Sequence, residues 1–100
     1  MDQKMMVTMV EAQVDQTREG ELVSSYRGVV AEGLGERLIE TLLLREVGST
    51  TWRILTVWRS RAELEEFRAS GITPPAQAIL RAAGAEPALR IFEVAERATQ

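Results

Sequence analysis

A strand that runs straight into a capped helix constrains this chain more than any other segment. Trp52-Arg53-Ile54-Leu55-Thr56-Val57-Trp58 reads as a strand, and Arg59-Ser60 then leads into Arg61-Ala62-Glu63-Leu64-Glu65-Glu66-Phe67-Arg68-Ala69-Ser70-Gly71. β-branched and aromatic residues favour the pleated backbone over Trp52–Trp58. Ser60 followed by Glu63 is a capping box, with the serine accepting from the Glu63 amide and the glutamate reaching back. Glu63, Glu65 and Glu66 suit the positive end of that helix, and Gly71 ends it.

The rest of the chain falls into place around this unit. Met5–Val14 reads as a first strand, and Asp15-Gln16-Thr17 supplies turn and cap chemistry. Leu22, Val23, Tyr26, Val29 and Val30 form the stripe of an amphipathic helix over residues 18–32, closed by Gly33-Leu34-Gly35. Leu38–Val47 is a second strand, and Gly48-Ser49-Thr50 turns it into the third. Thr73-Pro74-Pro75 opens a further helix, with Thr73 as cap and Pro74 in first position, ending at Ala83 before Gly84. Ala88–Glu96 is the last strand. The order β-α-β-β-α-(α)-β predicts one α+β domain over residues 1–100, ferredoxin-like, with a four-stranded antiparallel sheet and both main helices on one face.

The strands are too apolar for a sheet with one wet face. Trp52, Ile54 and Trp58 oppose Leu55 and Val57. Leu38, Leu42 and Leu44 oppose Ile39 and Leu43, and Leu89, Ile91 and Ala95 oppose Phe92 and Val94. Helices cover one face only, so a homodimer packed through the second sheet face is the expected assembly. A 100-residue chain has a modest core of its own, which such a dimer extends.

The unit Trp52–Ser70, a strand ending in Trp-Arg-Ser before a helix, resembles the corresponding segment of the antibiotic biosynthesis monooxygenase superfamily of dimeric α/β-barrel proteins. That resemblance implies a dimeric α/β barrel and a pocket between helices and sheet. It also implies a cofactor-independent monooxygenase acting on a small aromatic or polyketide-like substrate. Haem-degrading members use an asparagine, a tryptophan and a histidine. Trp58 stands at the tryptophan position, but the chain has no histidine and no asparagine. Iron would lack its usual proximal ligand, which argues against haem degradation. Quinone-forming members also rely on an asparagine, alongside tryptophan, tyrosine and arginine.

Composition narrows the chemistry further. Without cysteine or histidine there is no thiolate and no Ser-His or Cys-His nucleophile, and any metal site would have to be all oxygen. No cofactor and no metal are expected. The net charge of −3 argues against a general nucleic-acid binder. No apolar run approaches the length that crosses a bilayer, and Met1–Val7 does not read as a secretion signal, so a cytoplasmic protein is expected.

Trp58, Tyr26 and Phe67 are the candidate ligand-binding residues. Trp58 is able to stack on a flat aromatic ligand or to dock the following helix on the sheet. Tyr26 lies on the inward stripe of the first helix, and its hydroxyl meets either a ligand or solvent. Phe67 belongs near Trp58. Trp52 is six residues from Trp58, roughly 20 Å along an extended strand, and reads as hairpin-end packing. Catalytic candidates are Trp58, Tyr26, Glu11 and Glu40. A strand carboxylate facing an apolar cavity would act as a base, whereas one paired with Arg45, Arg53 or Arg90 is a cross-strand ion pair. Arg18, Arg37, Arg61, Arg68 and Arg81 read as solvated surface. Two functions stay open: an oxygenase, and a non-catalytic dimeric module that binds a small ligand or a partner.

Overall fold

The computed structural model describes residues 4–100; the amino-terminal reading of Met1–Gln3 lies outside them. Strand β1 spans Met6–Gln13. A 3-10 turn over Gln16–Arg18 leads into helix α1, Glu19–Ala31. The hairpin strands are β2, Leu38–Arg45, and β3, Thr51–Trp58. Helices α2, Arg61–Ala69, and α3, Pro75–Ala82, precede β4, Ala88–Glu93. The strands form one antiparallel sheet in the order β2-β3-β1-β4. Each long connection skips a strand, so β3 inserts between β1 and β2, giving the ferredoxin-like split βαβ arrangement.

Local chemistry explains the helix boundaries. The Ser60 hydroxyl accepts from the Glu63 amide at 3.2 Å. The return half of the expected box does not form, because the Glu63 carboxylate sits instead 3.7 Å from Arg37. Helix α3 starts one residue later than expected. Pro74 precedes another proline and is held extended at φ −59°, ψ 131°, so Pro75 opens the helix, and no side chain caps it. Gly71 and Gly84, with φ of 78° and 79°, take the left-handed positions after α2 and α3.

Inward positions repeat every second residue in β1 and β3. Met6, Thr8, Val10 and Ala12 lie beside Trp58, Thr56, Ile54 and Trp52. Helices α1 and α3 pack on this face through Leu22, Ile79 and Leu80 around Val10, Trp52 and Ile54. A second, smaller cluster joins Met6, Trp58 and Leu64 with Leu38 and Phe67.

Strand β2 corrects one expectation. Its register against β3 slips between Leu38 and Glu40, so Ile39 is an extra residue. Leu38 therefore pairs with Trp58 on the helix face, while Leu42 and Leu44 point outward opposite Leu55 and Arg53. The last strand also ends earlier than expected, at Glu93. The outer face keeps the apolar character that the sequence implied: Val7, Met9, Leu55 and Val57 are half-buried there, and Leu42, Leu44 and Phe92 are 43%, 37% and 45% exposed.

The turn after β1 has a pH signature. Asp15 accepts from the hydroxyl and the backbone amide of Thr17, and these two bonds hold its carboxyl below the usual range. A lowered folded-state pKa makes this contribution present above the ordinary carboxylate pKa and lost as pH falls through the lowered value. Asp15→Asn keeps an accepting cap, so urea melts from neutral to acid pH are predicted to show a shallower loss of stability for the variant than for the natural chain. Ser60→Ala is predicted to cost about 1 kcal/mol at all pH values, by the same measurement.

Candidate functional site

The two core clusters do not meet completely. Between them, under α1, α2 and α3, the sheet floors a cavity of about 690 Å³. Trp58 closes one end. It is the last residue of β3 and inward by parity, so its indole stands over the sheet where the chain leaves for α2. The residue is 7% exposed, and its Nε1 donates to Thr8 Oγ1 on β1 at 3.0 Å. The Phe67 ring, one turn after Leu64 on α2, tilts against the indole at 50° with centroids 5.3 Å apart. That geometry adds to area burial and fixes α2 on the sheet.

Tyr26 reaches the cavity from α1 together with Val29 and Val30. Among the described residues its hydroxyl makes no hydrogen bond. Trp58, Tyr26 and Phe67 thus line one space. Trp58 docks α2 through Phe67 and also lines the cavity. Its N–H, however, is committed to Thr8.

The mouth is charged. Arg37 lies 3.7 Å from Glu63 and 3.8 Å from Glu66, bracketing the first turns of α2. Arg37 lines the cavity with its side chain 38% exposed, and the exposed Arg68 lines it too, so both keep the solvated character the sequence suggested. The Arg59 guanidinium donates to the Glu36 carbonyl at 2.6 Å, which pins the loop before β2 along the same rim.

Glu11 and Glu40 are elsewhere. Glu11 pairs with Arg53, and Glu40 with Val57, both on the outer face of the sheet. Arg53 Nε donates to Glu11 at 2.6 Å and a second nitrogen reaches Glu46 at 3.3 Å. The Glu11 bond raises the Arg53 pKa above its ordinary value. Glu11 thus takes the cross-strand ion-pair role, and neither carboxylate reaches the cavity. The acids lining it are Glu36, Glu63 and Glu66, of which the last two pair with Arg37. Trp52 is also separate: its Nε1 donates to Glu19 at 3.0 Å, and Arg45 lies 5.8 Å over its ring. Those contacts lock the hairpin end to α1.

Sequence reasoning passed over Thr8, Thr41 and Thr56, which line the cavity floor. Their signal was a hydroxyl at an inward position between apolar neighbours: Thr8 between Met6 and Val10, Thr56 between Ile54 and Trp58. Among the described residues no group of three acidic side chains is placed to hold a metal ion. No described helix is long and apolar enough to cross a membrane.

No protein-family profile and no curated protein sequence matches the chain. Solved structures do. A heme-degrading protein from Mycobacterium tuberculosis superposes with a TM-score of 0.69 at 22% identity, over 99% of this chain and 100% of that one. SnoaB, a cofactor-independent oxygenase from Streptomyces nogalater, superposes at 0.70 with 14% identity, over 96% and 98%. A Caulobacter crescentus protein described as a candidate antibiotic biosynthesis monooxygenase superposes at 0.70 with 17% identity, over 94% and 92%. At these identities the likeness is one of fold: the chain has the ferredoxin-like α+β fold that these proteins share.

The Thr8–Trp58 bond makes a direct prediction. Thr8→Val keeps the strand shape but leaves the indole N–H without a partner, and should cost about 1–3 kcal/mol in urea denaturation. Thr8→Ser should recover most of that loss.

Proposed function

We propose that this chain is a cofactor-independent monooxygenase that takes a small aromatic or polyketide-like phenol into the helix-face cavity. The observation that carries the proposal is the meeting of Trp58, Phe67 and Tyr26 around one apolar space of a size suited to a fused-ring molecule. The fold it shares with SnoaB supports the same class of chemistry. Haem degradation draws no support from the residues, since the chain contains no histidine.

The chemistry asks little of protein acid–base groups. A phenolate is itself the reductant. It passes electrons to dioxygen, a C–O bond forms at an open ring carbon, and the O–O bond then breaks with loss of the ring proton. One oxygen atom stays as a quinone carbonyl and the other leaves as water, so phenol plus dioxygen gives quinone plus water. The protein orients the ring against Trp58 and Phe67, excludes water and stabilises developing negative charge. In this reading the Tyr26 hydroxyl touches the ring oxygen.

A second copy completes the proposed assembly. The outer sheet face carries Val7, Met9, Leu42, Leu44, Leu55, Val57 and Phe92, and the helices pack on the other face. The same face of another chain covers it without a new kind of surface.

One observation favours a non-catalytic reading. Both strand carboxylates that might have served as a base lie on the outer face. A dimeric ligand-binding module would have the same cavity and no turnover.

Oxygen uptake with a panel of naphthols and larger polyketide phenols separates the two. The oxygenase reading predicts uptake above the buffer blank, falling roughly tenfold or more in Tyr26→Phe with circular dichroism unchanged. Binding without uptake leaves the module. Light scattering at micromolar concentration should give twice 11.1 kDa, and Leu42→Lys with Phe92→Glu should give the monomer mass. A monomer for the natural chain removes the dimer.

A further inference from the structure

The cavity floor is ordered in rows. Reading across β2, β3, β1 and β4, the register places Thr41, Thr56, Thr8 and Ile91 side by side. The next inward row toward the hairpin is Leu43, Ile54, Val10 and Leu89, and the row on the other side begins Leu38, Trp58, Met6. A single line of three hydroxyls therefore crosses the floor between two apolar bands. Adjacent positions in such a row are about 5 Å apart, and neighbouring rows on one face are roughly 7 Å apart.

Cross-strand threonines often bond to one another, but these do not. Among the described residues the only side-chain hydrogen bond in the row is the one Thr8 accepts from Trp58. That bond occupies a lone pair of Thr8 Oγ1 and leaves its proton to donate. Thr56 is as buried as Thr8, each 8% exposed, yet its hydroxyl and that of Thr41 have no protein partner. No partnerless side-chain oxygen among the described residues is sealed from open space, so both hydroxyls reach the cavity. A hydroxyl with no protein partner that opens onto a cavity is free to bond a molecule lying there.

We infer that Thr8, Thr41 and Thr56 form a linear oxygen-binding subsite that selects flat ligands carrying hydroxyl or carbonyl oxygens over hydrocarbons of the same shape. Thr8 serves as a donor, while Thr41 and Thr56 donate or accept. Ring carbons rest on the flanking bands, Ile54 and Val10 on one side and Trp58 on the other. The ligand class is thus a fused aromatic phenol or quinone with oxygen along one line. This rests on the reading that the cavity is the ligand site, and the test separates the two.

Isothermal titration under nitrogen, which prevents turnover, compares 2-naphthol, 2,7-dihydroxynaphthalene and 2-methylnaphthalene. The natural chain should bind the oxygenated pair at least fivefold more tightly than the methyl compound, one hydrogen bond being worth roughly fivefold to tenfold. Thr56→Val and Thr41→Val keep the β-branched shape; each should lose that preference by a similar factor while holding 2-methylnaphthalene unchanged. Equal binding of all three by the natural chain, or a preference undiminished in Thr41→Val/Thr56→Val together, overturns the subsite and leaves the cavity as a ligand site. Binding of none of them removes the cavity reading and the subsite with it.

Discussion

The hydrogen bond from the Trp58 indole to the Thr8 hydroxyl holds the site together. It joins the last residue of β3 to the second inward position of β1, across the centre of the sheet. With the indole fixed there, Phe67 packs against it and α2 takes its line across the sheet. The Ser60 cap sets where that helix starts, two residues beyond the tryptophan. The cavity exists because α2 is held on this small cluster while α1 and α3 close the larger one. Removing the threonine hydroxyl would strand a buried donor and loosen the wall and the floor of the cavity together.

The two faces of the sheet carry different burdens. The helix face gives up part of its packing to an open volume, a real cost in a domain whose own core is small. The outer face is apolar and lies away from the helices, with Arg53, Glu11 and Glu46 forming a charged corner beside it. A second chain on that face would add the buried area that the cavity forgoes. The same arrangement puts the charged groups of strands β1 and β3 on the outer face and leaves the cavity with hydroxyls, rings and a charged mouth.

Much of this was legible because period-two patterning is a strong signal where strands are regular. The inward set Trp52, Ile54, Trp58 and the outward set Leu55, Val57 follow from alternation alone. Leu38 did not follow, since the bulge at Ile39 sits in a run of apolar residues with no polar marker to betray a slipped parity. Glu11 and Glu40 were ambiguous for a deeper reason: with both faces apolar, parity groups residues without telling which group meets the helices. The threonines were hidden by their own suitability for strands, where β branching explains their presence without a ligand. The ion pairs of Arg37 were not legible because its partners, Glu63 and Glu66, lie on an element distant in sequence.

The two tryptophans offer the most direct measurement. Trp58 lines the cavity and Trp52 is bonded to Glu19 at the far end of the same strand. Their indole N–H resonances therefore report on the site and on an internal control in one nitrogen–proton spectrum. Titration with 2-naphthol under nitrogen should move the Trp58 indole signal saturably and leave that of Trp52 in place. A Trp58 signal that stays fixed through saturating naphthol, or a shift confined to Trp52, would contradict the placement of the site.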